Sequence, residues 1–121
     1  MQKVGKIMRE YRTINLELGL PAVSEMPRRI TTEVRAARGQ KIKLVKFIHG
    51  YGSSGAGGKL RPAVRRELEK LKKLGLVKFY IEGERLSIFD ADTRRAMDYC
   101  GELRGDADLE RHNNGITIAV L

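Results

Sequence analysis

The sequence predicts an α/β protein, a layered α+β sandwich with the element order βαβαβ–insert–β. About four strands form a mixed sheet packed with two main helices. Three observations carry this. Short apolar runs alternate with one strongly amphipathic segment and one helix-compatible segment, and glycine or proline separates them. The run Lys41–Ile48 is almost continuously apolar, as in a central strand covered on both faces. A strand–helix–strand–helix–strand order implies crossover connections between parallel strands. At 121 residues the chain fits one domain, 1–121, long enough to bury a core without staples.

The elements follow in order. Residues 1–12 read as a basic N-terminal arm. Ile14-Asn15-Leu16-Glu17-Leu18 alternates apolar and polar, as a half-buried strand does. Gly19 and Pro21 break it, and a helix is expected over Ala22–Arg38, its start delayed by Pro21 and Pro27 and its end set by Gly39. Lys41–Ile48 is the second strand. Gly50–Gly58 holds five glycines in nine residues and must be loop. Lys59–Leu74 is the clearest helix: Leu60, Ala63, Val64, Leu68, Leu71 and Leu74 share one arc, and seven basic residues fill the other. Gly75 ends it and Leu76–Ile81 is the third strand. Residues 83–114 form an acidic insert, expected to hold a short strand near Leu86–Phe89 and a helix N-capped by Asp90 and running to Tyr99. Gly101–Asn114 reads as its most mobile part, and 115–121 as the last strand.

Charge is unevenly distributed. The net charge is +9, with 24 basic and 15 acidic residues. Residues 1–82 carry 19 basic and 7 acidic side chains, whereas residues 83–121 carry 5 and 8. A basic body attracts polyanions by counterion release. The single cysteine, Cys100, excludes an internal disulfide and a cysteine zinc cluster, and fits a reducing, cytoplasmic setting. No run approaches the ~20 apolar residues of a membrane span, so no membrane partner is expected. The oligomeric state, monomer or homodimer, stays open.

Gly50-Tyr51-Gly52-Ser53-Ser54-Gly55 satisfies G-x-G-x-x-G after a strand and before a helix. The acidic residue that a dinucleotide site needs comes late, at Glu82, and the chain is short of parallel strands. A nucleoside-triphosphate loop fails as well, because Ser53 and Leu60 stand where a glycine and a Ser/Thr are required. What survives is general: backbone N–H groups of a glycine loop at a helix N-terminus suit a phosphate, including that of a nucleic-acid backbone.

Ile48-His49-Gly50-Tyr51-Gly52 followed by Gly58-Lys59-Leu60-Arg61-Pro62-Ala63-Val64-Arg65-Arg66-Glu67-Leu68 resembles the small MutS-related (Smr) domain, with its His-Gly-x-Gly motif and following Arg-rich helix. Asn114-Gly115-Ile116-Thr117-Ile118 resembles its last strand. The resemblance implies a compact α/β sandwich that binds DNA or RNA, with nicking or cleaving activity in some members. The family's first-strand Leu-Asp-x-His is replaced here by Ile14-Asn15-Leu16-Glu17, so the usual catalytic pair is missing.

The expected function is therefore binding of DNA or RNA through the phosphate backbone. The candidate contacts are His49, Gly50, Gly52, Gly55, Gly58, Lys59, Arg61, Arg65 and Arg66. Endonuclease activity, if any, is expected to be weak, to need Mg²⁺ or Mn²⁺, and to rest on His49 as proton carrier and Glu17 beside the scissile phosphate. Each has a structural alternative: His49 as a strand-end anchor of the glycine loop, Glu17 as an exposed carboxylate. Ser53 and Ser54 lack an orienting acid, and His112 lies in a polar loop. No residue set is expected to hold a resident metal. The contrasting reading is a non-catalytic adaptor that binds proteins through the acidic insert. The insert could also fold over the basic face and compete with nucleic acid.

Overall fold

The computed structural model describes residues 9–19, 22–50 and 57–121. It shows a four-stranded mixed sheet and three helices: β1 (Tyr11–Asn15), α1 (Met26–Gly39), β2 (Leu44–Ile48), α2 (Gly57–Lys73), β3 (Phe79–Glu82), α3 (Ala91–Tyr99) and β4 (Ile116–Val120). The strand order is β1-β2-β4-β3. β2 runs parallel to β1, and β4 runs antiparallel to both β2 and β3. Three strands thus point one way, and the last strand inserts between the second and third. Among the described residues no helix is long and apolar enough to cross a membrane.

Strand alternation sorts the core into two halves. Val45 and Phe47 of β2 and Ala119 of β4 face α1 and α2, meeting Ile30, Val34, Val64 and Leu68. Leu44, Ile81, Ile116, Ile118 and Val120 face the other way. That second face is not open to water. Leu86, Ala96, Met97, Cys100 and Leu103 of the insert cover it. The chain is therefore a three-layer molecule: helices, sheet, insert.

The insert is the largest departure from the sequence reading. Residues 86–89 form turns rather than a strand, because their apolar members point down onto the sheet or out to solvent instead of pairing at an edge. Gly101–Gly105 is a 3-10 helix, and the rest of the polar run is tied down rather than loose. Asp106 and Asp108 both pair with Lys46, which lies near the middle of β2 on the covered face. The Tyr11 hydroxyl donates to Asp106, and Asn113 Nδ2 donates to Asp108 at 2.9 Å. A buried ammonium needs such partners, and they fix this end of the insert. Burial pushes the Asp108 carboxyl up, but the hydrogen bonds from Asn113 and Lys46 more than offset it, so it lies below its usual value. The insert also packs on the sheet face opposite α1 and α2, so it does not lie over the helices' outer, basic side.

Smaller differences are local. β1 begins and ends three residues earlier than expected, so its first two residues come from the supposed N-terminal arm, and Glu17 lies beyond it in a turn. Gly39 is the last residue of α1 rather than its stop; Lys41 takes the left-handed conformation (φ 61°) that closes the helix. Gly75 (φ 82°) does end α2, with Leu76 N–H donating to Leu71 O at 2.9 Å. Asp90 caps α3 as expected and accepts from the Thr93 N–H.

Candidate nucleic-acid interface

The carboxyl ends of β1, β2 and β3 lie on one edge of the sheet, where open α/β sheets usually bind ligands. Several of the predicted residues that the structure describes gather there: Glu17, His49, Gly50 and Arg65. Leu16 N–H donates to Ile48 O at 2.8 Å, which brings the turn carrying Glu17 beside the end of β2. The Glu17 carboxylate packs against Gly50, whose φ of 74° is a left-handed conformation suited to glycine. Gly58 and Lys59 are exposed in the first turn of α2, and Arg61 is half-buried just after them. Gly52, Gly55, Ser53 and Ser54 lie outside the described residues.

His49 is hydrogen-bonded at both ring nitrogens. It continues β2 with the parity of Val45 and Phe47, so its ring turns toward α2 and is fully enclosed. Nδ1 lies 2.8 Å from Gly50 O and Nε2 lies 2.8 Å from Thr117 Oγ1. The carbonyl can only accept, so Nδ1 carries the proton, and Nε2 accepts from the Thr117 hydroxyl. Thr117 Oγ1 in turn accepts from Arg65 Nε at 2.9 Å. Donation thus runs one way, Arg65 to Thr117 to His49 to Gly50, and both ring nitrogens are engaged. Burial pushes the imidazole down to about 4; the hydrogen bond to Gly50 opposes that shift, and the Arg65 and Arg61 cations reinforce it. The neutral ring holds the start of the glycine loop against β4.

Arg65 is equally committed. Its side chain is 13% exposed. The guanidinium forms a two-pronged pair with Glu84 at 2.8 and 2.9 Å, approaches Glu82 at 3.5 Å and donates to Ile116 O at 3.1 Å. Burial raises the Glu84 carboxyl, but the hydrogen bonds from Arg65 outweigh this and hold it below its usual value. Arg65 therefore clamps β4 and the first residues of the insert to α2. Thr117, Glu82 and Glu84 complete this network; Glu84 and the Thr117 hydroxyl were not singled out from the sequence, and Glu82 was weighed only as the acid of a dinucleotide site. The sequence signal was the strand parity of Glu82 and Thr117, which face α2 as register partners on β3 and β4.

The available cations lie farther out. Lys59, Arg66, Lys70, Lys72 and Lys73 of α2 are exposed, as are Arg28, Arg35 and Arg38 of α1. The side-chain ion pairs among the described residues use other cations: Lys43, Lys46, Arg65, Arg85, Arg95 and Arg104. The two acids of α2 are occupied elsewhere, since Glu67 accepts from Thr31 Oγ1 and Glu69 accepts from the Tyr80 hydroxyl. Together α1 and α2 carry 11 basic and 3 acidic residues, so their shared outer surface is strongly positive. The arginines of α1 extend this positive surface beyond the residues chosen from the sequence.

No described group of three or more His, Cys, Asp or Glu side chains is arranged to hold a metal ion. His112 is exposed and hydrogen-bonds Glu84 O at 3.2 Å. Comparison with family models, curated proteins and solved structures gives no match to this chain.

Proposed function

We propose that this protein binds DNA or RNA by its phosphate backbone, through the outer surface of the α1–α2 layer and the glycine loop before α2. One observation carries the reading: apart from Arg65, the cations of this layer lack carboxylate partners among the described residues, while the body of the acidic insert is held on the opposite face of the sheet. The molecule is thus electrostatically two-sided, and such a face attracts a polyanion whatever its sequence. The resemblance of the His49–Gly50 motif and its following helix to the Smr domain points the same way.

The geometry favours binding over cleavage at His49. An enclosed, neutral ring with both nitrogens bonded has none to offer a substrate. Glu17 remains exposed at the edge; any metal-dependent cleavage would have to use it without His49.

The test is a salt titration of binding to labelled single- and double-stranded DNA and RNA. Replacing Arg35, Arg66 and Lys70 together by Ala should flatten the log–log salt dependence by about 0.7–0.9 for each phosphate no longer neutralised. An unchanged slope in a folded triple variant overturns the interface. The adaptor reading has one observation of its own, the exposed Phe89 and Ile88 on the insert. It predicts that replacing Phe89, and not the helix cations, abolishes partner capture.

A further inference from the structure

A groove of about 520 Å³ runs between the start of α1 and the middle of α2, within the cationic layer. Its apolar lining comes from Val23, Pro27 and Ala63, and its flanks from Arg66 and Lys70. Glu67 also lines it, and this is the anomaly. Glu67 lies four residues from Ala63 and from Leu71, inside the apolar arc of α2, and is only 8% exposed. One carboxylate oxygen, Oε2, accepts from Thr31 Oγ1 at 2.9 Å. The other, Oε1, accepts nothing from the described residues. A nearly buried carboxylate in a positive surface repels a phosphate, so phosphate binding alone does not explain it. An apolar groove, an acceptor in its wall and two cations along its α2 side instead match a nucleotide: ring in the groove, amino group on the acceptor, neighbouring phosphates on Arg66 and Lys70.

Resting on the nucleic-acid reading above, we infer that this groove is a base-binding subsite for an unstacked nucleobase that presents an amino donor, cytosine foremost, in single-stranded DNA or RNA. Cytosine offers its N4 amino group to Glu67 Oε1. Uracil and thymine, of the same size, place the O4 acceptor there and meet the carboxylate's negative charge. An extruded base is needed because a paired one is stacked and its Watson–Crick edge is occupied.

Fluorescence-anisotropy titrations with labelled oligo-dC and oligo-dT of equal length, at one salt concentration, test the inference. The expected result is about fivefold to tenfold tighter binding of oligo-dC, the size of one good base contact. In Glu67→Gln the ratio should fall toward one, because a carboxamide can present either oxygen to N4 or nitrogen to O4 while still accepting from Thr31. Ser24 is exposed at the groove's rim. Ser24→Phe should fill the slot and remove the preference without disturbing the core, which keeps the test valid if Glu67→Gln fails to fold. Equal binding of the two oligonucleotides by the wild type, or a preference that survives a folded variant, overturns the base subsite and leaves backbone binding standing. Failure to bind either oligonucleotide at low salt, together with failure to bind duplexes, overturns the nucleic-acid reading itself.

Discussion

Arg65→Ala separates a residue that holds the sheet edge together from one that grips a ligand. Removing the guanidinium strips donors from Thr117 Oγ1 and Ile116 O, both on the buried strand β4. A buried acceptor that loses its donor costs about 1–3 kcal/mol. The pair with Glu84 adds less, since that carboxylate is 41% exposed and rehydrates when freed; an exposed pair contributes about 0–1 kcal/mol. The expected loss is therefore about 2–7 kcal/mol. For a domain of this size about 4 °C of melting temperature goes with each kcal/mol, so the melt should fall by roughly 8–28 °C. Arg65→Lys should recover little, because one ammonium cannot serve Thr117, Ile116 and Glu84 together. Arg66→Ala, one residue on, should melt within about 2 °C of the wild type, as an exposed side chain does. Thermal melts by circular dichroism and binding titrations on both variants give the comparison. Arg65→Ala should bind oligonucleotides almost normally below its melt, whereas Arg66→Ala should bind more weakly with a flatter salt slope. If Arg65→Ala melts like the wild type and loses binding as Arg66→Ala does, the clamp is misassigned and Arg65 is a phosphate contact.

The enclosed His49 predicts an acid-sensitive window. Its folded value, about 4, lies below the ordinary 6.5, so the unfolded chain binds the extra proton and stability falls as pH drops from about 6.5 toward 4, by up to about 1.4 kcal/mol per pH unit. The depressed carboxyls of Glu84 and Asp108 contribute stability above their ordinary values, 4.5 and 3.8, and lose it only at lower pH. Unfolding free energies between pH 7 and 5 therefore isolate the histidine, and a ring seen by NMR to titrate above pH 6 contradicts the assignment. Gly83→Ala should be among the most damaging single-methyl additions, at several kcal/mol, because a Cβ there runs into the backbone carbonyls of Asn113 and Ile116, the latter at 2.8 Å. Gly101→Ala meets open space and should shift the melt by only a few degrees; equal behaviour of the two variants would refute the close packing at Gly83.

Most of the helix–sheet half was legible because its signals are local. The arc of α2, the glycine after it, the Asp90 cap and the apolar run of β2 each express a period or a turn chemistry within a few residues. The insert was not legible in the same way. Leu86, Met97, Cys100, Leu103 and Leu109 are scattered through a segment with eight acids, with no single period. They point the same way only because the sheet face beneath them needs covering. One residue carried the clue. Lys46 stands inside a strand whose apolar character implied burial on both faces, and a buried ammonium demands carboxylates. The only remaining acid-rich segment was the insert, so Lys46 and that segment together implied a third layer.

The same reasoning explains why the candidate site changed character. On a helical wheel Arg61, Arg65 and Arg66 all fall outside the apolar arc and look alike. What separates them is the neighbouring strand. Arg65 sits on the flank nearest β4, within reach of Thr117 and of the glutamates after β3, so its charge is neutralised inside the protein. Arg66 faces away from the sheet and keeps its charge for solvent. Glu67 shows the converse: an acid beside two arginines looks like a surface partner, yet its position in the apolar arc turns it inward to Thr31 and the groove. A cation's value for binding depends on whether an acceptor inside the fold reaches it first. By that criterion the proposed phosphate-binding surface lies on the outer flank of α2 and on α1, and the His49–Thr117–Arg65 chain is a frame that ties Gly50 and α2 to β4.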